Sequence, residues 1–203
     1  MPIETQPAAL DAPQKAVAPR RIVLTGFMGS GKSTVGPILA ARLGWGFHDV
    51  DEVIESEGGV AIADLFARYG EAAFREREFS TITRLAEGDA TVIALGGGAI
   101  ERDETRALLL SNPGTLLVHL EVELATTLAR CRGTENTRPV LADQSNLRDR
   151  YERRMPLYRT AHVSIPVDHL TPDGQVPDAG QGGGFNLGML EGLAGKLLGS
   201  TQA

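Results

Sequence analysis

The chain has 203 residues, with 20 Lys plus Arg against 26 Asp plus Glu, a formal net charge of −6 and a pI near 5.3. That length suits one domain with a proper core, and 42% hydrophobic residues is too many for a disordered chain. Net acidity excludes a general nucleic-acid binder but leaves room for a local pocket that takes a small anion. The basic residues divide into 17 Arg and only three Lys, namely Lys15, Lys32 and Lys196. One cysteine, Cys131, excludes an intrachain disulfide framework and a Cys-rich zinc site. No apolar run approaches the roughly 18 residues that span a bilayer, and the N-terminus lacks the basic-then-apolar order of a secretory signal. A cytoplasmic protein with no membrane or nucleic-acid partner is expected.

Residues 1–20 carry Pro2, Pro7, Pro13 and Pro19 with no periodicity, and read as a disordered extension. Residues 22–25 (IVLT) are a short apolar run ending at glycine, which fits a buried strand. A helix is predicted from about Lys32 to Leu43, although Pro37 falls inside it and removes a backbone donor. Residues 47–49 read as a second strand, and 51–57, 61–69 and 71–86 as helices, the last with Phe74, Phe79, Ile82 and Leu85 near one face. Residues 91–95 (TVIAL) are a buried strand broken by Gly96, Gly97 and Gly98. A helix near 103–111 opens on Asp103 and Glu104, which favour an N-terminus. A strand at 115–120 and a helix at 122–131 follow. Residues 133–145 are polar, contain Gly133 and Pro139, and read as a loop. A helix at about 146–155 leads to a last strand at 163–167, which Pro166 places at a sheet edge. Residues 171–185 have linker composition, and a C-terminal helix and tail occupy 186–203. Short apolar strands alternating with helices define an α/β fold, a parallel sheet with helices on both faces.

The strongest motif is Gly26-Phe27-Met28-Gly29-Ser30-Gly31-Lys32-Ser33. It matches GxxxxGK[ST] between a predicted strand and a predicted helix, the context of a phosphate-binding loop. Glycines let successive N–H groups turn inward on phosphate oxygens, and the helix N-terminus adds a positive dipole. Gly29, Ser30, Gly31, Lys32, Ser33 and Thr34 are therefore the expected nucleotide contacts, with Lys32 on the β/γ phosphates and Ser33 on Mg²⁺. No Lys is preceded by Asn, so the Asn-Lys-x-Asp element of guanine readers is missing and a GTPase switch is not expected.

Three further features stand at predicted strand ends or on a helix. Asp49 and Asp51 close the second strand, where ligands collect in open parallel sheets. One could hold Mg²⁺ through water while the other orients a substrate hydroxyl; a plain acidic helix N-terminus is the other reading. Phe74-Arg75-Glu76-Arg77-Glu78 alone reads as a solvated mixed-charge helix face. Gly96-Gly97-Gly98 allow either close approach to a ligand or a tight turn.

Taken in order, GFMGSGKSTVG at 26–36, DVD at 49–51, FRERE at 74–78, LGGGAI at 95–100, RPVL at 138–141 and RMPLY at 154–158 resemble the shikimate kinases. The resemblance runs from about residue 21 to 168, and the tail after Asp168 does not clearly share it. It implies a three-layer α/β/α kinase domain over 21–170. The sheet would be five-stranded and parallel, of the P-loop nucleoside-monophosphate-kinase type, with a lid and a substrate-binding region. It implies transfer of the ATP γ-phosphoryl group to the 3-hydroxyl of shikimate with Mg²⁺, in the route to chorismate and aromatic amino acids, and a monomeric enzyme. By similarity Asp51 orients or deprotonates the hydroxyl, Ser33 and Asp49 serve the metal, and Arg75, Gly97 and Arg154 join Asp51 in binding substrate. Glu78 matches a carboxylate that supports the arginines; as a plain sequence feature it is a surface partner of Arg75. Arg138 matches the lid arginine that reaches the phosphates, completing a catalytic set with Asp51 and Lys32. Arg130 and Arg132 both flank the position of the family's adenine-stacking arginine, with Arg132 the favoured one. His119 reads as a core histidine. The alternatives are a related small-molecule kinase such as a gluconate kinase, or a nucleotide-binding protein without catalysis.

Overall fold

In the computed structural model, the described residues are 18–130 and 144–167; residues 1–17, 131–143 and 168–203 lie outside them. Arg21–Thr25 (β1) is followed by Lys32–Leu43 (α1), Gly46–Asp49 (β2), Val50–Gly58 (α2) and Ile62–Leu85 (α3). Then come Thr91–Ala94 (β3), a 3-10 turn at Ala99–Glu101, Asp103–Ser111 (α4), Thr115–Glu121 (β4), Leu124–Arg130 (α5), Gln144–Tyr158 (α6) and Val163–Pro166 (β5). The strands form one parallel sheet of order β2-β3-β1-β4-β5. Val23 is in register with Ile93 on one side and Leu117 on the other.

The topology positions the site. The β1-α1-β2 connection runs towards one edge of the sheet, and the β3-α4-β4 connection crosses β1 in the opposite direction. Parallel crossovers are right-handed, so the two connections place their helices on opposite faces and give three layers. Because both faces are covered, β1 and β3 are buried along their whole length, and Ile22, Val23, Leu24, Val92, Ile93 and Leu117 are almost fully shielded. The reversal of strand order beside β1 opens a crevice at the carboxyl ends of β1, β2 and β3. The phosphate loop, the two aspartates and the three glycines all leave the sheet there.

Several boundaries differ from expectation. Order begins before Arg21: the Arg20 N–H donates to Gly114 O at 2.7 Å, and Arg20 O accepts from the Ala90 N–H at 2.7 Å. The helices expected at 61–69 and 71–86 run together as α3, but Gly70 (φ 77°, ψ 169°) is non-helical and kinks it at the expected break. Pro37 sits inside α1 without ending it. The loop expected through 145 already turns helical at Gln144, and α6 runs past Pro156 because Leu147, Met155 and Tyr158 bury against the core. β5 is an edge strand with Pro166 at its end, paired to β4. The linker at 171–185, the helix and tail at 186–203 and Cys131 lie outside the described residues.

Candidate active site

The phosphate loop is built by backbone that only glycine accepts easily: Gly26, Gly29 and Gly31 have φ of 147°, 71° and 91°. Gly31 caps α1, and Thr34 N–H donates back to Gly31 O at 3.0 Å. Ser30 is buried beneath the loop. Lys32 folds over the loop's own carbonyls, its Nζ donating to Gly26 O at 2.8 Å and Phe27 O at 3.2 Å. Its charge therefore already stands where phosphate oxygens would gather, held by contacts that a stronger anionic acceptor can replace.

At the end of β2, Asp49 caps α2 by accepting the Asp51 N–H at 3.1 Å, so a place at the helix N-terminus is real for this residue. Its other oxygen accepts from Ser33 Oγ at 2.7 Å. A hydroxyl and a carboxylate side by side at the phosphate loop are hard oxygen donors of the kind Mg²⁺ takes. Among the described residues no group of three or more His, Cys, Asp or Glu could hold a metal. The pair fits an ion that keeps most of its shell as water and phosphate.

Asp51 lies two residues beyond Asp49 and is largely buried. Burial first, then the charges of Asp49 and Glu78, raise its pKa to about 6, against the pull of Lys32 and Arg75. Its neighbours come from three elements. A Cβ built on Gly96 would lie 2.9 Å from Asp51 Oδ1 and 2.6 Å from Glu78 Oε1, so the two carboxylates converge on the space that the bare glycine leaves open. On α3, Arg75 donates to Glu78 Oε2 at 2.7 Å and to Glu71 Oε1 at 3.1 Å. Glu78 is 3% exposed, so it leaves the solvated face that FRERE suggested alone, while Glu76 and Arg77 stay exposed on it. Burial lifts its carboxyl above the usual range, opposed by Arg75 and then Arg154.

The glycine run makes three successive approaches. Gly96 faces Asp51 and Glu78, Gly97 faces Arg154 Nη1, and Gly98 lies against the Arg75 guanidinium. Arg154 reaches this place from α6, is 4% exposed, and passes its guanidinium 5.9 Å from the Phe27 ring. Tyr158, one turn later, donates its hydroxyl to Gly97 O at 2.6 Å. Lys32, Ser33, Asp49, Asp51, Arg75, Gly97 and Arg154 thus share one crevice. Arg132 and Arg138 lie outside the described residues.

Glu101 and Tyr158 had no role assigned from the sequence. Glu101 accepts from Arg154 Nη2 at 2.7 Å, and its signal was only its place three residues after Gly98. Tyr158 stood in a quoted motif, four residues after Arg154. Arg130 ties the loop to the sheet edge, donating to Gly29 O at 3.0 Å and Val167 O at 2.7 Å. His119 is a core histidine, as expected: it is stacked 5.1 Å from the Tyr158 ring and sits 3.2 Å from Ser164 Oγ. Burial depresses its pKa to about 4. Phe66 and Phe74 pack on each other at 4.7 Å, with Phe74 in the core.

A phosphate loop at the switch point of a five-stranded parallel sheet defines a P-loop kinase fold of the nucleoside-monophosphate-kinase type. The sequence profile described as shikimate kinase matches residues 28–178, past Asp168 and into the segment read as a linker. The shikimate kinase of Salinibacter ruber is 42% identical over 161 residues, covering 74% of this chain and 78% of that one. That of Symbiobacterium thermophilum is 43% identical over 152 residues, covering 72% and 86%. The structure of shikimate kinase from Acinetobacter baumannii in complex with shikimate aligns with a TM-score of 0.72 at 32% identity, covering 91% of this chain and 96% of that one. The shikimate kinase structure from Aquifex aeolicus aligns at 0.71 and 31%, covering 88% and 99%. The chain belongs to the shikimate kinase family.

Proposed function

We propose that this protein transfers the γ-phosphoryl group of ATP to the 3-hydroxyl of shikimate, giving shikimate 3-phosphate and ADP. The observation that carries this reading is the crevice itself. One carboxylate, Asp51, lies within electrostatic reach of the phosphate-loop cation Lys32 and of Arg75, and the bare backbone of Gly96–Gly98 lies against Asp51, Arg154 and Arg75 in turn. Shikimate is a small hydroxylated carboxylate. Two guanidinium forks suit its carboxylate, and Asp51 suits the hydroxyl that attacks.

In this reading Arg75 and Arg154 grip the carboxylate, Gly97 offers backbone, and Asp51 accepts the hydrogen bond of the 3-hydroxyl and takes up its proton. Gly29–Thr34 hold the phosphates, and Lys32 moves from the loop carbonyls onto the transferring group. Ser33 and Asp49 would hold Mg²⁺, which when bound neutralises phosphate charge. Arg138 adds a late cation, and Arg132 stacks on adenine. The kinase unit spans 21–170, and it works as a cytoplasmic monomer without nucleic-acid or membrane partners. Among the described residues no helix is long and apolar enough to cross a membrane.

The acceptor is tested by coupled ADP release with Mg²⁺-ATP and a panel of hydroxy acids including gluconate. Turnover with shikimate alone is expected; equal turnover with gluconate contradicts the assignment. A steric test leaves every charge in place. At Gly98→Ala the new Cβ would lie 2.5 Å from Arg75 Nη2 and 2.8 Å from Nη1, so the guanidinium must move. Shikimate KM is expected to rise about tenfold, the loss of roughly 1.4 kcal/mol of binding, with ATP KM retained. Steady-state kinetics check this, and an unchanged shikimate KM would remove Arg75 from the substrate grip.

A further inference from the structure

Arg154 is a buried cation whose placement has to be explained. A guanidinium at 4% exposure needs a counter-charge, and its Nε has no hydrogen-bond partner among the described residues. Its Nη2 donates to Glu101 Oε2 at 2.7 Å. The other oxygen of Glu101 takes Arg153, at 3.0 Å from Nη2 and 3.1 Å from Nε. Both oxygens are thereby occupied, and the carboxylate is fixed between two arginines of α6. Its backbone is fixed as well. Glu101 ends the 3-10 turn that begins just after Gly98, and its N–H donates to Gly98 O at 3.0 Å. The carboxylate is thus attached, within three residues, to the glycine run that Arg154 faces. Burial works to raise the Glu101 carboxyl, but Arg154 and then Arg153 outweigh it and hold it below the usual range.

We propose that Glu101 is a positioning residue for substrate-carboxylate recognition: it clamps Arg154 by Nη2 so that Nη1 stays on the Gly97 side of the crevice. The inference rests on the reading that Arg154 grips the shikimate carboxylate. Its physical content is a competition. Among the described residues a second carboxylate within electrostatic reach of Arg154 is Glu78, which is buried and has Oε1 without a partner there. Without Glu101, Arg154 turns towards Glu78. That move withdraws Nη1 from Gly97 and weakens the Glu78 hold on Arg75, so both forks of the substrate grip loosen. Arg153 is exposed and braces Glu101 from outside, which explains why two adjacent arginines converge on one carboxylate.

The test uses the full chain with Glu101→Ala and Glu101→Gln, the second keeping an acceptor oxygen at nearly constant shape. Each is assayed for kcat, shikimate KM and ATP KM. Each is also assayed for affinity towards shikimate and its analogue with the carboxylate reduced to a hydroxymethyl group. The expected result is a rise in shikimate KM of about tenfold for Ala and about threefold for Gln, equivalent to roughly 1.4 and 0.6 kcal/mol. ATP KM and kcat stay near wild type, and affinity for the alcohol does not change. Unchanged or tighter shikimate binding in both variants overturns the proposal, as does an equal loss for the alcohol. Wild-type protein that fails to prefer shikimate over the alcohol overturns the underlying reading, and the proposal with it. Wild-type preference that both variants retain overturns the proposal alone.

Discussion

Asp51→Asn is expected to lower kcat by about 10²–10⁴-fold, the usual contribution of a positioned acid–base group, while ATP binding persists. The same change should stabilise the protein at neutral pH. The folded-state pKa of Asp51 is about 6, above the ordinary 3.8, because burial and the facing Asp49 and Glu78 disfavour its charge. The folded protein therefore binds this proton more tightly than the unfolded chain does. The stabilising contribution is complete below about pH 4 and is lost as pH rises through 6. Asparagine removes that loss, so at pH 7 the variant should gain about 1–3 kcal/mol, or a few degrees in Tm. The gain over wild type should vanish near pH 4. Activity runs the opposite way. The ionised carboxylate is the working form, so wild-type kcat/KM should fall as pH drops below about 6. Pre-steady-state kinetics and thermal melts across pH check both limbs. Near-normal turnover in Asp51→Asn removes its assigned role.

Arg75→Ala is expected to raise shikimate KM about 10²-fold, since a truncated charge pair commonly costs roughly 2–5 kcal/mol of binding. Two consequences accompany the loss. Glu78 is left buried without its 2.7 Å partner, so Tm should fall, by about 1–3 kcal/mol of stability for a partner that is itself part-exposed. Arg75 also favours the ionised form of Asp51, so the acid limb of kcat/KM should move to higher pH. Arg75→Lys should not restore binding. Lysine offers a point charge, where Arg75 holds Glu78 and Glu71 through two nitrogens of one planar group. Titration with shikimate separates these outcomes; wild-type affinity in Arg75→Ala refutes the grip.

The sequence made much of this fold legible because its signals were local. The apolar runs at 22–25 and 91–95, each stopped by glycine, marked the buried strands. Gly70 marked the kink in α3, and Pro166 marked the edge strand. The phosphate loop was readable by spacing alone. The rest of the site was not, because its chemistry depends on contacts between distant elements. FRERE has the pattern of an exposed helix face, and only the packing of α3 against the Gly96–Gly98 backbone buries Glu78. A charge inside the Phe74–Ile82 stripe was the one local sign of that. Glu101 and Arg154 are 53 residues apart, and Tyr158 reaches Gly97 across 61. No periodicity reports such pairs. The end of α6 lay beyond the expected residue 155 for a different reason: Tyr158 is buried, and the helix runs past Pro156 to bring it there.

The most direct measurement is to incubate the purified chain with Mg²⁺, ATP and shikimate and identify the products by phosphorus and proton NMR. ADP and shikimate 3-phosphate are expected in equal amounts, with the new phosphate on the 3-oxygen and no ADP when shikimate is omitted. Phosphate released to water at the same rate without shikimate, or phosphorylation at a different hydroxyl, would contradict it.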